Sequence, residues 1–433
     1  MAQNSSDIKE KKWKKLFFPF WLSQALSLLG SSIVQFALVW WLTKTIGSAT
    51  VLAVASTFAL LPEIIINPFA GAIVDRINRK YVMIAADLVI AIATLALAVL
   101  FYFNLIETWH IYAVMFIRSA GSAFHYPAQQ ASITKIVPKR HLARIAGINQ
   151  SLQGIVRIIA APLGALMLEI FGVEGSLGFD VLTAFTAVTI LAFISVPHER
   201  RENVDNTGPV KIILADMKAG LLYLLRWKGL MAVVFLAMFI KIALSPAISL
   251  LPLLVNQQFN GDASHYSMVE IAVGVGMITG GILLGIWGGF RKRIWTSLSG
   301  IFGLGMSFVL VSFLAENAFI VLIVLMFATG IMVTFIDGPF TAIIQACVED
   351  SYQGRVLTIV GSLLWITTPV GLSVAGPISD KIGVAYWYLI AGVFCLIGVT
   401  ASLFIPALML IEENNQQNIT GKVKVHDPGL AIE

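Results

Sequence analysis

Glu63, Arg118, Arg157, Lys241 and Asp337 are ionisable residues set inside long apolar runs. A charge at the centre of a bilayer costs roughly 2.5–3.5 kcal/mol on insertion scales, so each needs a functional or structural reason. Glu63 lies twelve residues before Asp75, or ~18 Å of helix rise, which puts it near mid-membrane. Pro62 precedes it and can kink the helix, freeing carbonyls to line a cavity. A carboxyl that is alternately dry and wet can take up and release a proton. Glu63 therefore reads either as a proton carrier or as the static partner of Arg118, and a pair that breaks on protonation would serve as both. Asp337, followed by Gly338-Pro339, is the second proton candidate or a cap at a broken helix end. Asp87 reads first as a partner of Arg76 or Arg79, Asp180 as structural, and His125 as a hydrogen-bonded packing residue.

A cavity for a bulky apolar cargo needs aromatic walls and a few polar groups. Trp21, Gln35, Phe36, Phe58, Phe239 and Trp365 lie at suitable depths, with Arg157 and Lys241 as charged members of the wall. No cofactor is expected: there is no phosphate loop of the G-x-x-x-x-G-K-[ST] type and no H-E-x-x-H metal motif. The six histidines are scattered, and the two cysteines, Cys347 and Cys395, offer neither metal spacing nor a disulfide framework.

The elements that hold these residues follow from composition. The 433 residues are 58% hydrophobic and 12% charged, with a mean hydropathy of +0.86. A soluble domain carries about 25% charged residues, so an ordinary soluble enzyme, a disordered chain and a secreted disulfide scaffold are all excluded. Twelve helical spans are expected, at 16–43, 49–74, 81–103, 108–130, 143–171, 176–196, 229–256, 265–290, 294–316, 318–345, 354–378 and 384–411. The runs lack the alternation of barrel strands, which leaves helices as the spanning structure.

Of the 29 Lys and Arg residues, 24 fall in the tails and alternate loops of one side, and only Lys44 and Lys381 in the loops of the other. That bias puts both termini in the cytoplasm. It also leaves no basic patch for a nucleic acid. The expected organisation is a tail (1–15), a six-helix bundle (16–196), a linker (197–228), a second bundle (229–411) and a C-terminal tail (412–433). Within the linker, 211–226 reads as an interfacial amphipathic helix with Ile212, Met217, Leu221 and Leu225 near one face. The halves repeat weakly. At an offset of 211, Met115-Phe116 lies over Met326-Phe327 and Arg144 over Arg355. At 214, the segment 71–79 lies over 285–293. Two parallel halves of this kind are a transporter design, with less reason to occur in a channel or a membrane enzyme.

Gly71-x-x-x-Asp75-Arg76-x-x-Arg79-Lys80 resembles the loop motif of the major facilitator superfamily, and Arg118-x-x-Gly121-x-Ala123 resembles its second motif. Pro162-x-Gly164 is a partial form of the third, with Ala161 where Gly is usual. The strings 116–125, 86–88 and 285–290 resemble the macrolide-efflux branch. The resemblance implies an all-α membrane protein of twelve transmembrane helices in two pseudo-symmetric six-helix bundles. It implies secondary-active export of amphipathic drugs such as macrolides, by alternating access and proton antiport, in a bacterial cytoplasmic membrane. The alternative cargo is a natural metabolite or siderophore. The partners implied are the bilayer, a small amphipathic substrate and protons, and the chain is read as a monomer.

The same resemblance implies a latch. Asp75 would complement the N-terminus of span 11, and Arg76, Arg79 and Lys80 would pair with carboxylates or set topology. Asp87, Arg144 and Arg355 would join this gate. Gly71 would allow close packing of helix ends. Gly289 stands where Asp75 stands, so only the first half would latch.

Overall fold

The computed structural model describes residues 2–74, 76–194 and 209–412, and their side chains except at 2–12, 72, 209–214, 228, 350 and 351. The described residues form helices and short turns, with no strand among them. A chain this apolar must satisfy its backbone within each segment, and a helix does so. In order, the helices are α1 (Ala2–Thr45), α2 (Ala49–Val74), α3 (Arg79–Tyr102), α4 (Thr108–Ile136), α5 (Leu142–Phe193), α6 (Pro209–Arg226) and α7 (Lys228–Ser249). They continue with α8 (Leu251–Phe259), α9 (Ala263–Trp287), α10 (Arg293–Ser312), α11 (Phe319–Cys347), α12 (Asp350–Ile382), α13 (Val384–Leu403) and α14 (Pro406–Met409).

Ten of the described helices are long and apolar enough to cross a membrane. One of them holds two spans, because α5 turns at Gly172. There φ is 69°, a left-handed conformation that glycine adopts without penalty. α4 carries Arg118, His125 and Lys135 and completes the twelve. Two expected ends differ. Span 7 stops at Ser249 and α8 follows as a separate helix with Pro252 in its first turn. Span 12 stops at Leu403, before the short α14. The linker helix forms as α6, but the residues it buries are Gly220 and Leu224, while Leu221 and Leu225 stay exposed. Ile212 lies outside the described side chains.

Helices α1–α5 pack as one bundle, α1 on α5 and α3 on α4 and α5. Helices α7–α14 pack as the other, α9 on α11 and α10 on α11 and α13. α2 meets α12 and α5 meets α9 between the bundles. The two ends of the molecule differ. At the end bearing Asp380, one apolar core runs through both bundles and joins Trp40 and Leu52 to Leu253, Tyr266 and Val269. At the end bearing Arg79, each bundle has its own core. Phe17, Phe20 and Met83 lie in one, and Leu230, Ile344 and Val356 in the other. The bundles therefore meet at the Asp380 end and part at the Arg79 end.

Candidate functional site

Between the bundles lies a cavity of about 490 Å³. α1 contributes Ser31, Gln35 and Phe36, α2 contributes Glu63, α4 Arg118, α5 Arg157, and α9 Tyr266 and Glu270. Phe36 and Trp40 both stack on Tyr266, with ring centroids 5.1 and 6.0 Å apart. These stacks close the cavity toward the Asp380 end.

Arg118 does not pair with Glu63. Its guanidinium binds the fully buried Asp180 carboxylate. It also donates to Thr94 Oγ1 at 2.5 Å and to the Ser31 carbonyl at 3.3 Å. Ser31 and Thr94 in turn donate to Asp180, at 3.2 and 3.3 Å. Four helices, α1, α3, α4 and α5, are tied through one ion pair. Gly30 makes room for it, since a Cβ there would stand 3.1 Å from Asp180 Oδ1.

Glu63 is placed differently. It lines the central cavity and two others. One of about 280 Å³ separates α2 from α12 and includes Asn67 and Trp365. The other, of about 310 Å³, lies within the first bundle and includes Trp21, Asp87 and His125. The Glu63 carboxylate hydrogen-bonds the Asn67 side chain one turn on, and no ion pair to it is formed among the described residues.

Arg157 faces Glu270, whose carboxylate is also bonded to the Tyr266 phenol. Lys241 lies over the Trp365 ring, 4.8 Å from its centroid. It also lies close enough to Asp337 to interact with it electrostatically. Both line a separate cavity of about 220 Å³ in the second bundle, so Asp337 and Lys241 are not part of the central site. Phe58 stacks on Tyr112 and Phe239 on Phe394, at 5.6 and 5.0 Å, and neither lines the cavities described. Trp21 donates its indole N–H to Asn149 at 2.7 Å.

Asp75 lies outside the described residues. Asp87 is beside His125, with Oδ1 and Nε2 3.3 Å apart. Arg79 donates to the Ala131 carbonyl at 3.1 Å and Lys80 to Ala192 at 2.7 Å. Arg76 and Arg144 are exposed. Arg355 pairs with Asp216 of α6 at 2.9 Å. A Cβ at Gly71 would meet nothing within 4 Å, so close helix packing does not account for that glycine in this conformation. Glu270 and Asp380 are acids in or beside apolar runs, and neither sits in a motif. What marks them is the partner each finds across the bundle interface.

The family model described as transmembrane secretion effector matches residues 13–433. Macrolide efflux protein A of Streptococcus pyogenes is 35% identical over 384 residues, which cover 89% of this chain and 94% of the relative. Macrolide efflux protein A of Enterococcus faecalis is 34% identical over 326 residues, 75% of this chain and 100% of the relative. A nucleoside transporter of known structure aligns with a TM-score of 0.66 at 14% identity, over 90% of this chain and 99% of that one. A D-xylose–proton symporter aligns at 0.64 and 16% identity, over 90% and 97%. These two likenesses concern the fold alone. With helices, bundles and a central cavity in place, the chain belongs to the transmembrane secretion effector family of the major facilitator superfamily, and it is a multi-pass membrane transporter rather than an enzyme.

Proposed function

We propose that the protein exports a cationic amphipathic drug of the macrolide type across a bacterial cytoplasmic membrane, in exchange for protons, as a monomer. The observation that carries this reading is the position of Glu63, which lines three cavities. Two other charges of the central cavity are balanced, Arg118 by Asp180 and Arg157 by Glu270. Glu63 has no basic partner among the described residues and leaves the cavity one negative charge in excess. A monocation or a proton would neutralise it, and competition between the two is the simplest form of antiport. The names of the macrolide efflux relatives support this cargo.

In this reading residues 16–196 and 229–411 move as two bodies. The Lys and Arg bias supports cytoplasmic termini, and in this reading the Asp380 end faces outward and the conformation described is open inward. Asp75 would engage α12 when the inner end closes.

The test is macrolide transport in proteoliposomes under an imposed pH gradient, comparing wild type with Glu63→Gln. The expected outcome is gradient-driven movement in wild type and its loss in the variant, while exchange between equal cargo pools persists. No macrolide movement under any gradient would move the cargo to a metabolite or siderophore. Loss of both activities in the variant would make Glu63 structural.

A further inference from the structure

α2 and α12 run antiparallel across the bundle interface and form a V. They touch near residues 49–53 and 376–380 and diverge toward the Arg79 end. There the cavity of about 280 Å³ opens between Leu60, Glu63 and Pro68 on one and Leu357, Gly361 and Trp365 on the other. At the closed tip the approach is tight. A Cβ on Gly376 would stand 2.9 Å from Thr50 Cα and 3.1 Å from Ala53 Cβ.

At that tip a carboxylate of one bundle caps a helix of the other. Asp380 accepts the Ala49 N–H on Oδ1 at 2.6 Å, and the Thr50 N–H and Ser48 hydroxyl on Oδ2 at 3.0 and 2.9 Å. The first N–H groups of a helix have no partner within it and carry its partial positive charge. α2 contains no acid in its first turn, and Asp380 supplies from α12 what α2 lacks. A second bond crosses the same rim, from Gln257 Nε2 to the Gly47 carbonyl at 2.9 Å. Opening the cavity at this end requires all of these bonds to break.

We propose that Asp380 is a gate residue, holding the Asp380 end shut by capping α2 across the bundle interface. It acts on the balance between the two access states rather than on the cargo. The family resemblance implies a counterpart at the opposite end, where Asp75 would complement the N-terminus of α12. The inference rests on alternating access but not on the identity of the cargo or the coupling ion.

The test is side-specific cysteine labelling. The native Cys347 and Cys395 are buried and give little background. A Ser56→Cys probe in the wall of the central cavity is treated with a membrane-impermeant maleimide in oriented vesicles, from each side in turn. Asp380 is solvent-exposed at the rim, so its charge-assisted bonds are partly screened and the expected effect is modest. Asp380→Asn is expected to raise labelling from the Asp380 side about fivefold and to lower it from the Arg79 side. Asp380→Glu should stay nearer wild type. Ser48→Ala, which removes one of the three donors and spares the charge, should give a smaller rise in the same direction. It carries the test if Asp380→Asn does not fold. A residue that merely stabilised α2 would lower the thermal midpoint and leave the sidedness of labelling unchanged. Unchanged rates from both sides would overturn the proposal. Because labelling needs no cargo, this result is independent of whether macrolides move under a pH gradient.

Discussion

Arg118 on α4 binds Asp180 on α5, and that single pairing leaves Glu63 as the charge of the central cavity with no cation opposite it. The relationship assigns two roles to residues of similar depth. In the proposed transport cycle the pair serves as scaffold, and the isolated acid is left for a ligand or a proton.

Removing one partner of a buried ion pair leaves an uncompensated charge and costs ~3–5 kcal/mol. Asp180→Asn and Arg118→Leu are each expected to lower the thermal midpoint of the purified protein strongly. The double variant Arg118→Leu/Asp180→Leu should recover part of the loss. If both single variants melt with wild type, the pair is not the tie that joins α1, α3, α4 and α5.

Charge variants of the second pair should act in opposite directions. Glu270→Gln frees the charge of Arg157 and cancels the negative excess of the cavity, so a monocationic dye is expected to bind about tenfold more weakly. Arg157→Gln doubles the excess and is expected to tighten binding by a similar factor, the scale of two charges about 12 Å apart at an effective dielectric of about 20. Fluorescence titration reads both. Changes of the same sign would remove the charge-balance argument.

The α9–α11 crossing is expected to tolerate no side chain. A Cβ on Gly330 would stand 2.9 Å from the Met277 amide nitrogen and 3.0 Å from Gly276 Cα. Gly330→Val should destabilise by ~1–3 kcal/mol through overpacking. Gly354, on α12, has nothing within 4 Å of its built Cβ. Gly354→Ala should therefore be neutral or slightly stabilising in the same melting assay, because Ala is the better helix former.

One pH effect follows from a cap outside the spans. The His265 backbone N–H and imidazole hold the Asp262 carboxyl below its ordinary range. A depressed folded-state value stabilises the cap of α9 above the unfolded pKa, about 3.9 for Asp. That contribution fades as pH falls through the folded value. Amide exchange at His265, relative to its intrinsic rate, should stay slow above pH ~4 and quicken below it, and Asp262→Ala should abolish the dependence.

Composition and the absence of strand alternation determined that the chain lives in a bilayer as helices, because only a helix or a closed barrel satisfies the backbone there and these runs lack a barrel's alternation. The spacing of the apolar runs, the Gly71–Lys80 string and the weak repeat were enough for twelve spans in two bundles. Partners were not legible. Arg118 is nearly as far along the chain from Glu63 as from Asp180, and only helix packing brings Asp180 to the guanidinium and turns Glu63 toward three cavities. The boundary between the spans at 143–171 and 176–196 was legible in the sequence, and Gly172, with its positive φ, makes that turn inside the single helix α5. Glu270 and Asp380 are visible as acids in or beside apolar runs but sit in no motif. Their roles arise where α9 meets α5 and where α12 meets α2, and contacts between helices more than a hundred residues apart are decided by tertiary packing, which no spacing within one segment encodes.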